Sequence, residues 1–220
     1  MLNEKLIVLD TETTNSIDDP ICYDIGWAVI DEMGNVYKTY SYVVAEVFLD
    51  KELMESAYYA EKISTYWEQI KSKQRTLAKF STIRKVFAKC VKEYNVTKVF
   101  AHNMRFDYRS TNLTQRFLTS SKYRYFLPYG MEICDTLKMA RQVLKTDEAY
   151  ENFCYNNQYL TKRGCRRYTA EIIYRFISNN NQFEESHTGL EDVLIEKDIL
   201  AYCLQKMPDV DIHLWKDEEE

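Results

Sequence analysis

Glycine and proline are scarce in this chain: five and three residues in 220. That excludes a collagen-like or Pro/Gly-rich disordered polypeptide and leaves no linker composition at which to divide it. The six cysteines (22, 90, 134, 154, 165, 203) contain no CxxC pair, so neither a disulfide frame nor a thiolate zinc site is expected. No apolar run approaches the eighteen or more residues of a membrane span, and Met1 to Lys5 lacks a signal-peptide layout. A soluble, cytoplasmic protein with reduced thiols is the expectation. Basic excess is also missing. The formal net charge is -5, so no global positive field announces nucleic acid.

What is present is a chain long enough to bury roughly 70% of its unfolded surface in one core. The apolar run Leu6 to Leu9 reads as a central strand over Lys5 to Asp10. Ile25 to Asp31 and Val36 to Val44 read as the next two strands, joined at Gly34-Asn35. From about Glu52 to Tyr94 the apolar spacing is helical, as in Phe80, Ile83, Phe87, Cys90 and Val91. A strand over Lys98 to Ala101, a helix over Phe106 to Leu118, a short strand ending at Ile133-Cys134 and a helix capped by Asp135 follow. Residues 146 to 168 fit neither period and read as an inserted loop or hairpin. Thr169 to Ser178 and Gly189 to Gln205 are helical. Strands first, then helices alternating with short strands, predict an α/β fold with a mixed sheet and helices on both faces.

Three signals place acids where strands stop or helices start. In VLDTETTN, Asp10 and Glu12 lie two apart on an extended chain, hence side by side, unless the chain has turned by Glu12 and both are solvated. Their repulsion needs a cation, a proton or distance. In VFAHNMRFD, Asn103 can cap a helix whose first turns carry Asp107. In SHTGLEDVLIEKDI, Thr188 and Glu191 form a T-x-x-E capping box, His187 stays outside the helix, and Asp192 falls on a stripe shared with Ile195 and Ile199. A carboxylate on an apolar stripe needs a partner. Clustered oxygen ligands without thiolates suit Mg²⁺ or Mn²⁺, and two such ions can activate a water and stabilise a leaving oxygen.

The segments DTETT, HNMRFD and HTGLED resemble, in order and spacing, the three motifs of the DEDDh 3′-to-5′ exonucleases, which include the proofreading subunit of bacterial replicases, ribonuclease T and oligoribonuclease. DIGWAVIDEMGNV and CDTLKMAR look like that family's second strand with its hairpin and its post-strand helix. The histidine five residues before the last aspartate marks the histidine branch. The resemblance implies a ribonuclease H-like fold with a five-stranded mixed sheet. It makes residues 1–210 a single exonuclease domain with a polar, basic insert at 146–168, and residues 211–220 an acidic tail. It further implies that Asp10, Glu12, Asp107 and Asp192 hold two Mg²⁺ or Mn²⁺ and that His187 takes the proton of the attacking water. Nucleoside monophosphates would leave from the 3′ end, with single-stranded DNA as the expected substrate.

An RNA-trimming exoribonuclease is the alternative enzyme, and a non-catalytic nucleic-acid-binding module the alternative from another class. With no polymerase domain in the sequence, a free-standing nuclease is expected, any polymerase or replication partner being non-covalent. Substrate contacts are expected from Thr11, Thr13, Asn103 and Phe106. The insert offers Lys162, Arg163, Arg166 and Arg167 around Gly164, read either as a strand clamp or as a solvated loop. His102 reads as a local hydrogen-bonding residue and His213 as surface. The run YRYFLPY (123 to 129) could stack bases, although core packing is the favoured reading for most of the eighteen tyrosines.

Overall fold

The alternation of β1 (Leu6–Thr14) decides which way the site faces. Ile7 and Leu9 pack into one core and Leu6 and Val8 into another. Two-residue periodicity then carries Asp10 and Glu12 on the side of Leu6 and Val8. The computed structural model describes residues 4–15, 18–57 and 59–214. Tyr58 and the acidic residues Asp217 to Glu220 lie outside them.

β2 (Ile21–Ile30) pairs antiparallel with β1, and β3 (Val36–Val44) antiparallel with β2. Two short helices, α1 (Ala45–Phe48) and α2 (Lys51–Glu55), then α3 (Ile63–Lys71), lead to β4 (Thr76–Ala78). There follow α4 (Phe80–Tyr94), β5 (Lys98–Ala101), α5 (Met104–Leu118), β6 (Glu132–Asp135), α6 (Thr136–Leu144), α7 (Glu148–Asn156), α8 (Ala170–Ser178) and α9 (Gly189–Lys206). The sheet order is β4-β3-β2-β1-β5-β6, with β4, β5 and β6 each parallel to its inner neighbour. The five strands expected are therefore six. Thr76–Ala78 pairs with Tyr42–Val44, and three residues are too few to show an alternation. Residues 212–214 cover the outer edge of β6 through Asp135 N–H to Ile212 O (3.0 Å) and Leu214 N–H to Ile133 O (3.0 Å). His213, expected at the surface, is half-buried in that segment.

One core lies against α4, where Phe80, Ile83, Phe87 and Cys90 meet Trp27 and its sheet neighbours. The other lies under α6, α7, α8 and α9. The loop reading of 146–168 is corrected in its first half. Asp147 caps α7 by accepting from Tyr150 N–H (3.0 Å), and Tyr150, Phe153 and Cys154 turn one helical face inward. The second half is a turn, with Gly164 at φ 75° and Leu160 bridged to Arg166.

Helix α9 reaches the sheet through two glycines. A Cβ on Gly26 would lie 2.4 Å from the carbonyl carbon of Gly189 and from Leu190 N, both backbone. Only a residue without a side chain lets the helix start come this close. Gly26→Ala should therefore push α9 off β2, costing at least the roughly 1–3 kcal/mol typical of overpacking. Urea denaturation should show the midpoint falling; an unchanged midpoint would mean that the contact yields freely.

Candidate active site

The start of α9 is fixed from below by a buried ion pair. Arg75 Nη1 donates to Oδ1 and Oδ2 of Asp24 on β2, both at 2.9 Å, with the two side chains almost completely buried. Asp24 Oδ2 also accepts from Tyr66 Oη (2.7 Å) and from Gly189 N–H (2.9 Å), so the carboxylate sits at the positive end of α9. Arg75 Nη2 reaches Glu191 Oε2. The expected capping box is thereby rewired. Thr188 Oγ1 donates to Glu191 (2.8 Å), while Thr188 N–H is taken by Asp192 Oδ2 (2.9 Å) instead of Glu191.

Asp192 is consequently held at a fixed height above the sheet, with Ser186 Oγ as a further donor at 3.1 Å. Because β1 continues to Thr14, Asp10 and Glu12 remain on one face, and one carboxylate oxygen each from Asp10, Glu12 and Asp192 lies within 4.8 Å of the others. Asp10 Oδ2 is buried without a hydrogen-bond partner. Burial, then the neighbouring acids, pushes Glu12 up to about 9 and Asp10 well above the usual carboxylate range. Asp192 is pushed up to about 6, again chiefly by burial.

Asp107 arrives from the other side of the sheet on α5. Asn103 occupies the N-cap position but makes no side-chain cap, its backbone being left-handed at φ 72°. Asp107 accepts from Thr11 Oγ1 at 2.8 Å, and burial raises it to about 7. Asn15 is also left-handed at φ 65°, a conformation that Asn tolerates better than most residues, and its N–H donates to Ser56 Oγ (2.9 Å).

His187 stands at the rim. Its ring stacks on Tyr59, with centroids 4.4 Å apart and planes 11° from parallel, and Glu185 Oε2 lies 3.8 Å from Nδ1. Lys62 Nζ donates to the Ser186 carbonyl, tying down the same loop. Burial and then the Lys62 charge lower the imidazole below its ordinary value, favouring the neutral, proton-accepting form. Glu185, His187 and Asp192 also bring one ligand atom each within 4.8 Å.

Asp10, Glu12, Asp107, Asp192, His187 and Tyr59 line a cleft of about 630 Å³. Arg141, Arg166, Arg167 and Tyr168 also line it and bring positive charge into the cleft. Thr11, Asn103 and Phe106 line it too, whereas Thr13, Lys162 and Arg163 do not. Thr13 follows a register shift between Glu12 and Thr13, and Lys162 and Arg163 sit exposed on the turn at Gly164. Arg166 is partly committed elsewhere, donating to the Lys145 carbonyl (2.7 Å) at the end of α6. His102 bonds the Thr136 hydroxyl (3.2 Å) and the Tyr168 carbonyl (2.8 Å), linking the insert to the sheet.

Two acids of the cleft escaped the sequence reading. Glu196, one turn after Asp192, is buried and accepts from His102 N–H (3.3 Å); burial, then Asp107 and Asp192, raises it well above the usual range. Its four-residue offset from Asp192 was the available signal. Glu185 is raised to about 7, mainly by burial.

The donor set fits hard divalent cations. It is all oxygen apart from one imidazole, it concentrates like charge, and it leaves a buried carboxylate oxygen unpartnered.

No family model matches the chain, and no curated protein matches it. Solved structures do. Exonuclease X in complex with 5′-overhanging duplex DNA aligns with a TM-score of 0.52 and 16% identity, over 91% of each chain. E. coli Exonuclease I in complex with a dA16 oligonucleotide aligns with a TM-score of 0.57 and 14% identity, over 93% of this chain but 42% of that one. S. pombe Pop2p in its Mg²⁺- and Mn²⁺-bound form gives 0.51 and 13%, over 93% and 84%. The chain thus shares the fold of these solved structures.

Raised carboxylates make metal-free stability depend on pH with a definite sign. Between about pH 5 and 9 the folded chain binds more protons than the unfolded one, because Asp192, Asp107 and Glu12 titrate at about 6, 7 and 9. Stability should then fall as pH rises across that window. In chelator the Tm should drop from pH 5 to pH 9, and Mg²⁺ or Mn²⁺ should restore it most at the alkaline end. A Tm that rises with pH and ignores the ions would contradict the site.

Proposed function

We propose that this chain is a metal-dependent 3′-to-5′ exonuclease that removes nucleoside monophosphates from single-stranded DNA. The observation that carries the reading is the unpartnered Asp10 oxygen, enclosed with Glu12 and Asp192, while Asp192 in turn lies beside Glu185 and His187, an imidazole that burial and Lys62 shift toward its neutral form. The neighbours described with DNA, and the one described with Mg²⁺ and Mn²⁺, support the same chemistry.

Asp10, Glu12 and Asp192 would hold one Mg²⁺ or Mn²⁺, and Asp107 with Asp10 a second. Bound there, two such ions supply Lewis acidity to a phosphodiester and stabilise both the entering and the leaving oxygen. The chain itself provides the rest. His187 accepts the proton of the attacking water, Glu185 stabilises the imidazolium so formed, and Tyr59 fixes the ring plane. Arg141 and Arg167 of the cleft lining attract the phosphates of the strand, which the acids repel.

A 5′-labelled single strand should shorten in one-nucleotide steps with Mg²⁺, a circular strand should survive, and EDTA should stop the reaction. RNA strands run in parallel determine the sugar preference. His187→Ala should lower kcat by about 10²- to 10⁴-fold while divalent-ion affinity holds, as befits a general base. Rapid cutting of circles would overturn the exonuclease reading. Loss of ion binding in the His187 variant would make that residue a ligand.

A further inference from the structure

The segment joining α5 to β6 is tied down through its backbone and open in several of its side chains. Phe126 is fully buried, its ring 5.4 Å from that of Phe80 and 5.1 Å from that of Phe87, and its N–H donates to Asn112 Oδ1 (2.9 Å). The Tyr123 carbonyl accepts from Gln115 Nε2 (2.9 Å) and the Tyr125 carbonyl from Arg84 Nε (2.9 Å). Yet Tyr123, Tyr125 and Tyr129 remain 60%, 52% and 108% exposed. Core packing, the favoured reading for tyrosines in general, does not account for these three.

The rings border a groove of about 450 Å³ on the α4–α5 side of β6. Its cations are Arg84, Lys122 and Arg124, and among the described residues no carboxylate lines it, although the chain as a whole is acidic. Cations and rings are already interleaved. Arg84 and Lys122 stand 5.5 and 5.8 Å from the Tyr123 ring, and Arg116 stands 5.8 Å from that of Tyr125. Exposed rings offer π-faces to any base, and neighbouring guanidinium and ammonium groups offer charge to phosphates. A protein partner would need complementary acids and an apolar centre; the alternation of ring and cation suits a polyanion whose own rings are spaced along it.

One helix serves both the groove and the cleft. On α5, Phe106 and Asp107 line the cleft and the next residue, Tyr108, lines the groove. We propose that this groove is a second binding site for single-stranded nucleic acid, holding nucleotides upstream of the 3′ end that the acidic cleft receives. The proposal rests on the nuclease reading above for its direction, and on the groove's own composition for its ligand.

The test measures binding by fluorescence anisotropy of labelled dT and rU strands, about 20 and about four nucleotides long, in the Asp10→Ala chain so that strands stay intact. Tyr123→Ala with Tyr125→Ala should weaken the long strands about tenfold or more, as expected for two lost stacks. The short strands should be unaffected, and Tyr123→Phe with Tyr125→Phe should restore affinity, since stacking needs only the ring. Lys122→Glu with Arg124→Glu, which leaves the buried Phe126 anchor untouched, should weaken the long strands equally and flatten their salt dependence. Unchanged long-strand affinity in both pairs would overturn the groove as a strand site. Hydrolysis of the short strand by the unaltered chain is a separate readout: its absence would sink the nuclease reading, whereas the length-dependent loss of binding would still identify the groove.

Discussion

Everything in the site hangs on the contact between the start of α9 and the middle of β2. Two glycines, Gly26 and Gly189, remove the side chains that would hold the helix off. Beneath them, Asp24 accepts the first N–H of the helix while Arg75 and Tyr66 neutralise and bind its remaining lone pairs. A buried pair of this kind contributes little net stability against an apolar substitute, but removing one partner typically costs about 3–5 kcal/mol, because the other charge is stranded. Its value here is positional. It sets the helix at the one height from which Asp192 meets Asp10 and Glu12.

From that contact the rest follows by periodicity. The strand places Asp10 and Glu12 on the α9 face and Thr11 toward α5, where its hydroxyl binds Asp107. One turn along α9, Glu196 joins the same enclosure. Asp10, Glu12, Asp107, Asp192 and Glu196 are thus gathered, each pushed toward its protonated form chiefly by burial; neighbouring acids add to this for Asp10, Glu12 and Glu196, whereas hydrogen bonds from Thr11 and Ser186 pull Asp107 and Asp192 back. A fold that stores this much like charge is more readily explained by a divalent cation than by packing. Arg141 of α6 and Arg166 and Arg167 of the insert place positive charge in the same cleft.

Part of this was legible in the sequence because Asp10 and Asp192 interrupt apolar patterns, and Asp107 falls in the first turns of a helix. Asp10 closes the apolar run Leu6 to Leu9 within its strand, and Asp192 sits among Ile195 and Ile199. Where no pattern is interrupted, the reading failed. Glu196 lies in a run with Lys197 and Asp198 that resembles a solvated face, and Arg75 closes the polar stretch KSKQR, which looks like a surface turn. Burial of Arg75 depends on β4, a strand of three residues, and on partners more than thirty positions away. Helix α7 was hidden because a single apolar face of three residues hardly stands out among Tyr and Asn. Thr13 was expected in the cleft, and a register shift at Glu12 explains why strand alternation alone did not place it.

The central claim is that α9 and β1 build a divalent-cation site, and ion binding tests it without reference to turnover. Isothermal titration of the metal-free chain with Mn²⁺ at neutral pH should show saturable binding with release of protons from the raised carboxylates. Asp192→Asn should abolish the tighter phase, and Gly26→Ala, which moves the helix without altering a ligand, should weaken it. Equal Mn²⁺ binding by all three chains, or none by the unaltered one, would contradict the account.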